Sequence, residues 1–278
     1  MPTLPPERLR SLATAVEAAG LDELWVWEDC FKESGVASAA AALAWTDRIT
    51  VGIGILPVPL RNAAVCAMEF ANLERMFAGR LIAGLGHGVQ MWMGQVGAKA
   101  ASPMTLLEEY ATAVRRLLNG ERVSVQGRYV QLDEVALDWP PSPPPPLMLG
   151  GEGPKSLALA ARLGDGNVLA GALTEEEIRS ACALISEHRT TDAHPVVATV
   201  LAATGPDAEA RLVAERPRWF RPADAPIGVA GDAATIAAAI QRLAGFGATS
   251  VCIQVTEDEP DLDGFVQFLG AEVKPLLD

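Results

Sequence analysis

Histidine, cysteine and aromatic side chains are scarce in this chain of 278 residues, which holds three histidines, four cysteines and 5% Phe, Trp and Tyr. The histidines and acidic residues show no metal-ligand spacing, so no metal site is expected. Cys30, Cys66, Cys182 and Cys252 lie far apart with no C-x-x-C pair, and they read as buried thiols in a reducing cytoplasm. Positive charge is also short: 22 Lys and Arg stand against 35 Asp and Glu, a net charge of -13. That deficit argues against nucleic acid and membrane partners, because phosphate-rich surfaces need a basic face. A small phosphorylated ligand held by backbone N–H groups stays open. Long apolar runs are missing too. The small-apolar stretch around Val36–Trp45 is too short to span a bilayer, and no secretory signal precedes Glu7-Arg8-Leu9-Arg10. A soluble, cytoplasmic protein is expected.

What the chain does have is a regular alternation of apolar runs and helix-period segments. Leu9 to Ala19 reads as a helix closed by Gly20. Seven runs read as barrel strands: Leu24–Trp27, Thr50–Ile55, Arg80–Leu85, Leu147–Leu149, Asn167–Ala170, Val196–Ala203 and Ser250–Val255. Helices stand between most of them: one capped by Asn62, one opened by Ser102-Pro103, and others over Thr174–Glu187 and Asp232–Ala244. Arg122–Gln126 and Arg128–Asp133 read as a small β-hairpin excursion. The proline run Pro140–Pro146 is a stiff connector into the next strand. Repeated strand–helix units imply a parallel sheet that closes by right-handed crossovers. The expected fold is therefore α/β, a TIM-like (β/α)8 barrel in one domain spanning residues 1–278. An eighth strand should precede the first helix, but Met1–Pro6 carries three prolines in six residues and cannot make a central strand. Either the first strand is short or missing, or the N-terminus lies upstream.

The chemistry-bearing segments fall at the ends of these strands, where barrels bind ligands. Arg80-Leu-Ile-Ala-Gly-Leu-Gly-His-Gly88 runs an apolar strand into a histidine between Gly86 and Gly88, whose backbone can approach a ligand closely. Gln90, Trp92 and Gln95 follow in the same loop. Trp27-Glu-Asp-Cys30 ends another strand, where Asp29 beside Cys30 could relay a proton or either carboxylate could cap the next helix. Gly52 and Gly54 weaken a strand, which marks a bulge, a ligand contact or tight packing against a helix. Leu149-Gly-Gly-Glu-Gly-Pro-Lys155 joins a glycine turn to a helix whose first N–H groups suit an anion.

As a set, these motifs resemble the bacterial luciferase-like family of flavin- and deazaflavin-dependent oxidoreductases. The resemblance rests on Ala18–Asp29, Arg48–Pro57, Arg61-Asn62, Leu73–Leu81, Gly84–Gly88, Gly150–Pro154, Leu163–Gly166, Val229–Asp232 and Phe246–Ala248, in order over most of the chain. It implies a TIM-like barrel, usually a homodimer, binding coenzyme F420 or, alternatively, FMN, and acting on a small-molecule substrate. It implies a cis peptide at Gly54–Ile55 against the cofactor ring, with Gly86, Gly88, Gly150, Gly151, Glu152 and Gly153 also holding cofactor. His87, Asp29 and Cys30 are the implied catalytic residues, and Trp92 and Arg61 the substrate residues. The family often has Asp-His where this chain has Asp29-Cys30, and a thiol titrates higher than an imidazole. His87 could supply that imidazole from the neighbouring strand. The expected activity is hydride transfer between a deazaflavin and a small organic substrate. The alternatives are an FMN-dependent monooxygenase and a catalytically degenerate flavin-binding barrel.

Overall fold

Short apolar runs alternating with helices build a curved parallel wall. The computed structural model describes residues 4–277; Met1–Thr3, part of the proline-rich start, lie outside them. Strands β1 (Glu23–Val26), β2 (Thr50–Ile53), β3 (Leu56–Pro57) and β4 (Leu81–Gly86) come first. The hairpin strands β5 (Val123–Gln126) and β6 (Gln131–Val135) follow, then β7 (Leu147–Gly150) and β8 (Gly166–Val168). The wall continues with β9 (Val196–Ala203), β10 (Val229–Ala230) and β11 (Ser250–Val255). The helices are α1 (Leu9–Ala18), α2 (Gly35–Trp45), α3 (Ala63–Met76), α4 (Gln90–Gln95) and α5 (Pro103–Leu118). After the hairpin come α6 (Pro154–Leu163), α7 (Glu175–His188), α8 (Ala208–Glu215), α9 (Ala233–Phe246) and α10 (Leu262–Phe268).

All pairings in the wall are parallel and run β1-β2-β4-β7-β8-β9-β11, with β3 added to β4 and β10 to β9. Among the described residues no ladder joins β11 to β1, so the TIM-like barrel is open where its first strand would stand. A cavity of about 460 Å³ fills that gap, bordered by Trp25, Cys252 and Ile253 of the wall and by Leu12, Val16 and Phe265 of the helices. The Ser250 hydroxyl donates to Glu23 Oε2 at 2.7 Å across its lower end. The expected seven strands are present, with two short additions at β3 and β10. The segment after β4, read as a loop, carries the short helix α4.

Two local differences have physical causes. The second hairpin strand begins at Gln131 rather than Arg128, because residues 128–130 form the turn. There the Glu109 carboxylate accepts N–H bonds from Arg128, Tyr129 and Val130 at 2.8–3.1 Å. Gly52 and Gly54, for their part, make room neither for a helix nor first for a ligand. The Trp25 ring lies across both, at 2.5 and 3.0 Å from where their Cβ atoms would stand. Trp25 thereby fills the barrel interior with Met148, Val168 and Val197. Between β2 and β3 the chain takes one extra residue: Gly52 to Leu56 is matched on β4 by Ile82 to Leu85. That bulge re-aims Ile55.

The loop into β2 is fixed by Glu17, whose carboxylate accepts N–H bonds from Asp47, Arg48 and Ile49 at 2.6–3.1 Å. The Arg48 amide outweighs burial and pulls the Glu17 pKa from 4.5 down to about 2. A carboxyl whose pKa falls on folding adds stability above its unfolded pKa and loses that stability as pH drops toward the folded value. Glu17→Gln is therefore expected to flatten the decline in Tm between about pH 5 and pH 2. At neutral pH it should cost about 1 kcal/mol, since the site is partly exposed to water. Thermal melts across that range would check it.

Candidate active site

The carboxyl ends of the strands surround a second cavity, of about 340 Å³. Trp27, Glu28 and Asp29 enter it from the end of β1, and Gly54 and Ile55 from the bulge after β2. Gly86, His87 and Gly88 come from the end of β4, Gln90 and Trp92 from α4, and Gly150, Gly151 and Glu152 from the end of β7. The far wall is made by residues 168–171, Trp219 and Gln254. This smaller cavity, rather than the larger gap in the wall, gathers the polar groups suited to chemistry.

The two carboxylates after β1 have different surroundings. Glu28 accepts the Gly35 N–H at the start of α2 at 3.0 Å and receives both terminal nitrogens of Arg61 at 2.6 and 3.0 Å. Arg61 also meets Glu69 at 3.3 Å. Glu28 is thus the cap and ion-pair partner. Arg61, expected to face an acidic substrate, is held by these two carboxylates outside the residues that border the cavity. Asp29 is left to the cavity, where burial raises its pKa above the ordinary value and Lys32 only partly offsets this. Cys30 does not border the cavity. Burial and the neighbouring Glu28 and Asp29 charges push its thiol pKa up, away from thiolate chemistry.

His87 bridges two of the motifs. Its Nδ1 stands 3.1 Å from the Gly88 carbonyl oxygen and its Nε2 3.4 Å from Ser156 Oγ, in the first turn of α6. With Nδ1–H donated to the carbonyl, Nε2 can accept the serine hydroxyl. Ser156 carries no sequence signal of its own beyond its place just inside the helix. It is nearly touched by Gly151, where a Cβ would come within 2.5 Å of the serine Cβ. Gly153 precedes α6 as an N-cap with no side-chain acceptor, so the first-turn amides of that helix are open to an anion. Gly153 itself stands outside the cavity border.

The glycines of β4 and β7 act through Ile55. A Cβ at Gly86 or Gly150 would lie 2.9 Å from the Ile55 side chain. Those bare backbones let Ile55 sink into the wall, so that the bulge forms a ledge on the cavity. The Gly54–Ile55 peptide in that ledge is cis, as the resemblance implies.

Trp219 and Gln254 are wall residues that the sequence did not flag. The Trp219 ring stands 2.7 Å from where a Cβ on Gly171 would be, and its Nε1–H donates to the buried Glu215 carboxylate at 3.2 Å. Gln254 sits in β11 with its Oε1 buried and without a partner; Gln90 Oε1 is likewise unpartnered. Among the described residues bordering the cavity there is no lysine or arginine. Nor do the described residues hold a group of three or more His, Cys, Asp or Glu side chains able to bind a metal ion.

The family model described as luciferase-like monooxygenase matches residues 2–254. A 5,10-methylenetetrahydromethanopterin reductase of Methanolobus tindarius is 30% identical over 167 residues, which is 60% of this chain and 51% of that protein. An F420-dependent glucose-6-phosphate dehydrogenase of Nakamurella multipartita is 29% identical over 174 residues, 58% of this chain and 51% of that one. The chain thus spans about half the length of the curated relatives it matches. The structure of an F420-dependent secondary alcohol dehydrogenase in complex with an F420-acetone adduct superposes with a TM-score of 0.88. It shares 21% identity and covers 99% of this chain and 96% of that one. At that identity the likeness shows the barrel fold.

Proposed function

Because this chain belongs to the luciferase-like monooxygenase family, we propose that it moves a hydride between coenzyme F420 and a small organic substrate. The observation that carries this reading is the meeting of Asp29, His87, the Ile55 ledge and the Gly150–Glu152 turn that leads into α6 around one cavity. The names of the relatives, an F420-dependent dehydrogenase among them, support the choice of cofactor. The residues present fit such a group. Gly150–Gly153 and the first amides of α6 would hold its phosphate, and Gly54, Ile55, Gly86 and Gly88 would support the ring. When bound, a deazaflavin supplies a ring carbon that gives or takes a hydride. Asp29 would hold or release the proton that accompanies this, and His87 and Trp92 would orient the substrate beside it.

Fluorescence titration of the purified protein with F420 and, separately, FMN tests the reading. Saturable binding of F420 in preference to FMN is the expected result. Preference for FMN, with oxygen uptake during turnover, would make the protein a monooxygenase instead. Binding of neither would leave the degenerate barrel.

We also propose a homodimer formed through α3, in the cytoplasm. Val65, Met68 and Met76 on that helix are 43%, 50% and 62% exposed, and Trp45 at the end of α2 is 38% exposed. Val65, Met68 and Met76 recur at helical spacing on α3, and such an exposed apolar face favours an apolar contact. Met68→Glu is expected to turn a dimer into a monomer in light scattering, and an unchanged mass would remove α3 from the interface. The four cysteines are free, which suits a reducing compartment. Among the described residues no helix is long and apolar enough to cross a membrane.

A further inference from the structure

The loop that carries Asp29 has little of the core to rest on. Every residue between Val26 and Gly35 is half-buried or exposed, and Phe31 in its middle is 67% exposed. Its shape must therefore come from hydrogen bonds more than from packing. Within it, the Lys32 N–H donates to the Asp29 carbonyl at 2.8 Å, and the Ser38 hydroxyl reaches Glu33 Oε2 at 3.4 Å. One carboxylate holds both ends. Glu28 opens the loop, and its Oε2 accepts the N–H of Gly35, which closes it, at 3.0 Å. Gly35 comes so near only because it lacks a Cβ, which would stand 2.7 Å from Leu56 and 3.3 Å from the Glu28 Cβ. Arg61 anchors the same carboxylate with both terminal nitrogens, at 2.6 and 3.0 Å, and meets Glu69 of α3 at 3.3 Å. The Arg61 and Glu28 side chains are 18% and 9% exposed, so the pair is largely out of water and costly to break from one side.

We propose that Arg61 is a positioning residue: paired with Glu28, it forms a strut that holds the Glu28–Gly35 loop shut and sets Asp29 against the cavity. Arg61 does not border the cavity, and it acts on the proposed proton transfer only through where it puts Asp29. The inference rests on the oxidoreductase reading for what Asp29 does, while its test reads where Asp29 stands.

That test is the titration of Asp29 itself, followed by NMR of the side-chain carboxyls in cofactor-free protein, with Asp29→Asn assigning the signal. The charged and titratable groups about the loop are Glu28, Cys30, Lys32 and Glu33, with Glu152 and His87 also bordering the cavity. The parent midpoint should lie above that of an ordinary aspartate, because partial burial disfavours the charge. If the pair acted only through its charges, Arg61→Gln would leave Glu28 uncompensated and raise the midpoint. Glu28→Gln would lower it, and removing both would leave it unmoved. A strut gives another pattern. Without it the loop opens, water reaches Asp29, and the midpoint falls toward the ordinary value in both single variants and in the double variant. The double variant should fall no further than the singles, since the two residues act as a unit. It buries no unpaired charge, so it carries the test where melting curves show a single variant unfolded. Arg61→Lys, which keeps the charge but not the two-pronged grip, should lie between parent and Arg61→Gln. Three results overturn the proposal: a parent midpoint no higher than an ordinary aspartate's, a midpoint that rises or stays put in Arg61→Gln, or one that does not move in the double variant. F420 binding to the parent is titrated separately by fluorescence. Its absence would sink the cofactor reading and leave the strut as measured.

Discussion

Gly84→Ala is expected to lower the melting temperature by about 6–12 °C, the shift that corresponds to about 3 kcal/mol in a chain of this size. Gly84 lies inside β4, under the bulge where β2 gives way to β3. A Cβ there would overlap the Ile53 carbonyl oxygen and come within 3.3 Å of Ile55 Cγ2. The obstacle is backbone, so no rotamer change relieves it. Either β4 moves away from β2 or the bulge flattens, and both disturb the ledge that Ile55 forms on the cavity. Overpacking of a core costs about 1–3 kcal/mol when side chains can adjust, and here they cannot, which puts the loss at the upper end. Gly245→Ala is the matching control. Gly245 is in α9 with open space around its Cβ position, so alanine there should stabilise by about 0.5–1 kcal/mol. Urea denaturation of both variants would check the contrast. Equal stability at position 84 would mean that the bulge does not press on β4.

Position 84 also shows what sequence can and cannot convey. The run Leu81–Gly86 is legible as a buried parallel strand because its apolar residues are continuous and its histidine follows at the end. Its glycines say that something comes close, but not what. At Gly86 and Gly150 the close neighbour is Ile55, and at Gly52 and Gly54 it is Trp25, both brought in by strand pairing across distant segments. Capped helices were readable for a local reason: Asn62 accepts the Ala64 N–H at 2.8 Å and Ser102 the Thr105 N–H at 3.5 Å, within three residues. Arg61 was misleading for the opposite reason, since its main partner Glu28 comes from the end of β1, while Glu69 reaches it from the second turn of the helix that Arg61 leads into. Trp219 and Gln254 had no local mark at all. Trp219 depends on Gly171, far behind it in the chain, and Gln254 resembles any polar residue of an alternating strand. The parts of the site that rest on strand ends and helix starts were therefore legible, while the parts set by long-range neighbours were not.

Asp29→Asn is expected to lower turnover by about 10²–10⁴-fold, the range for removing a positioned acid or base, with F420 affinity retained. Asp29 lines the cavity without capping a helix or meeting an arginine, while Glu28 beside it does both. Burial raises its pKa, so the ionised form needed to accept a proton is populated at higher pH than in an ordinary aspartate. In the direction that requires a base, the parent rate should rise with pH through that raised pKa, and the asparagine variant should lose this limb. Stability should move the other way. A carboxyl whose pKa rises on folding takes up a proton on folding. Its ionised form therefore destabilises the fold fully above the raised pKa and not at all below the unfolded one. At neutral pH the asparagine variant should melt higher than the parent, with the difference vanishing in acid. A purely structural Asp29 would give the reverse: lower Tm, and turnover lost only in proportion to unfolded protein. Loss of rate together with gain of stability is the combination expected where a fold keeps an unfavourable buried charge for its chemistry.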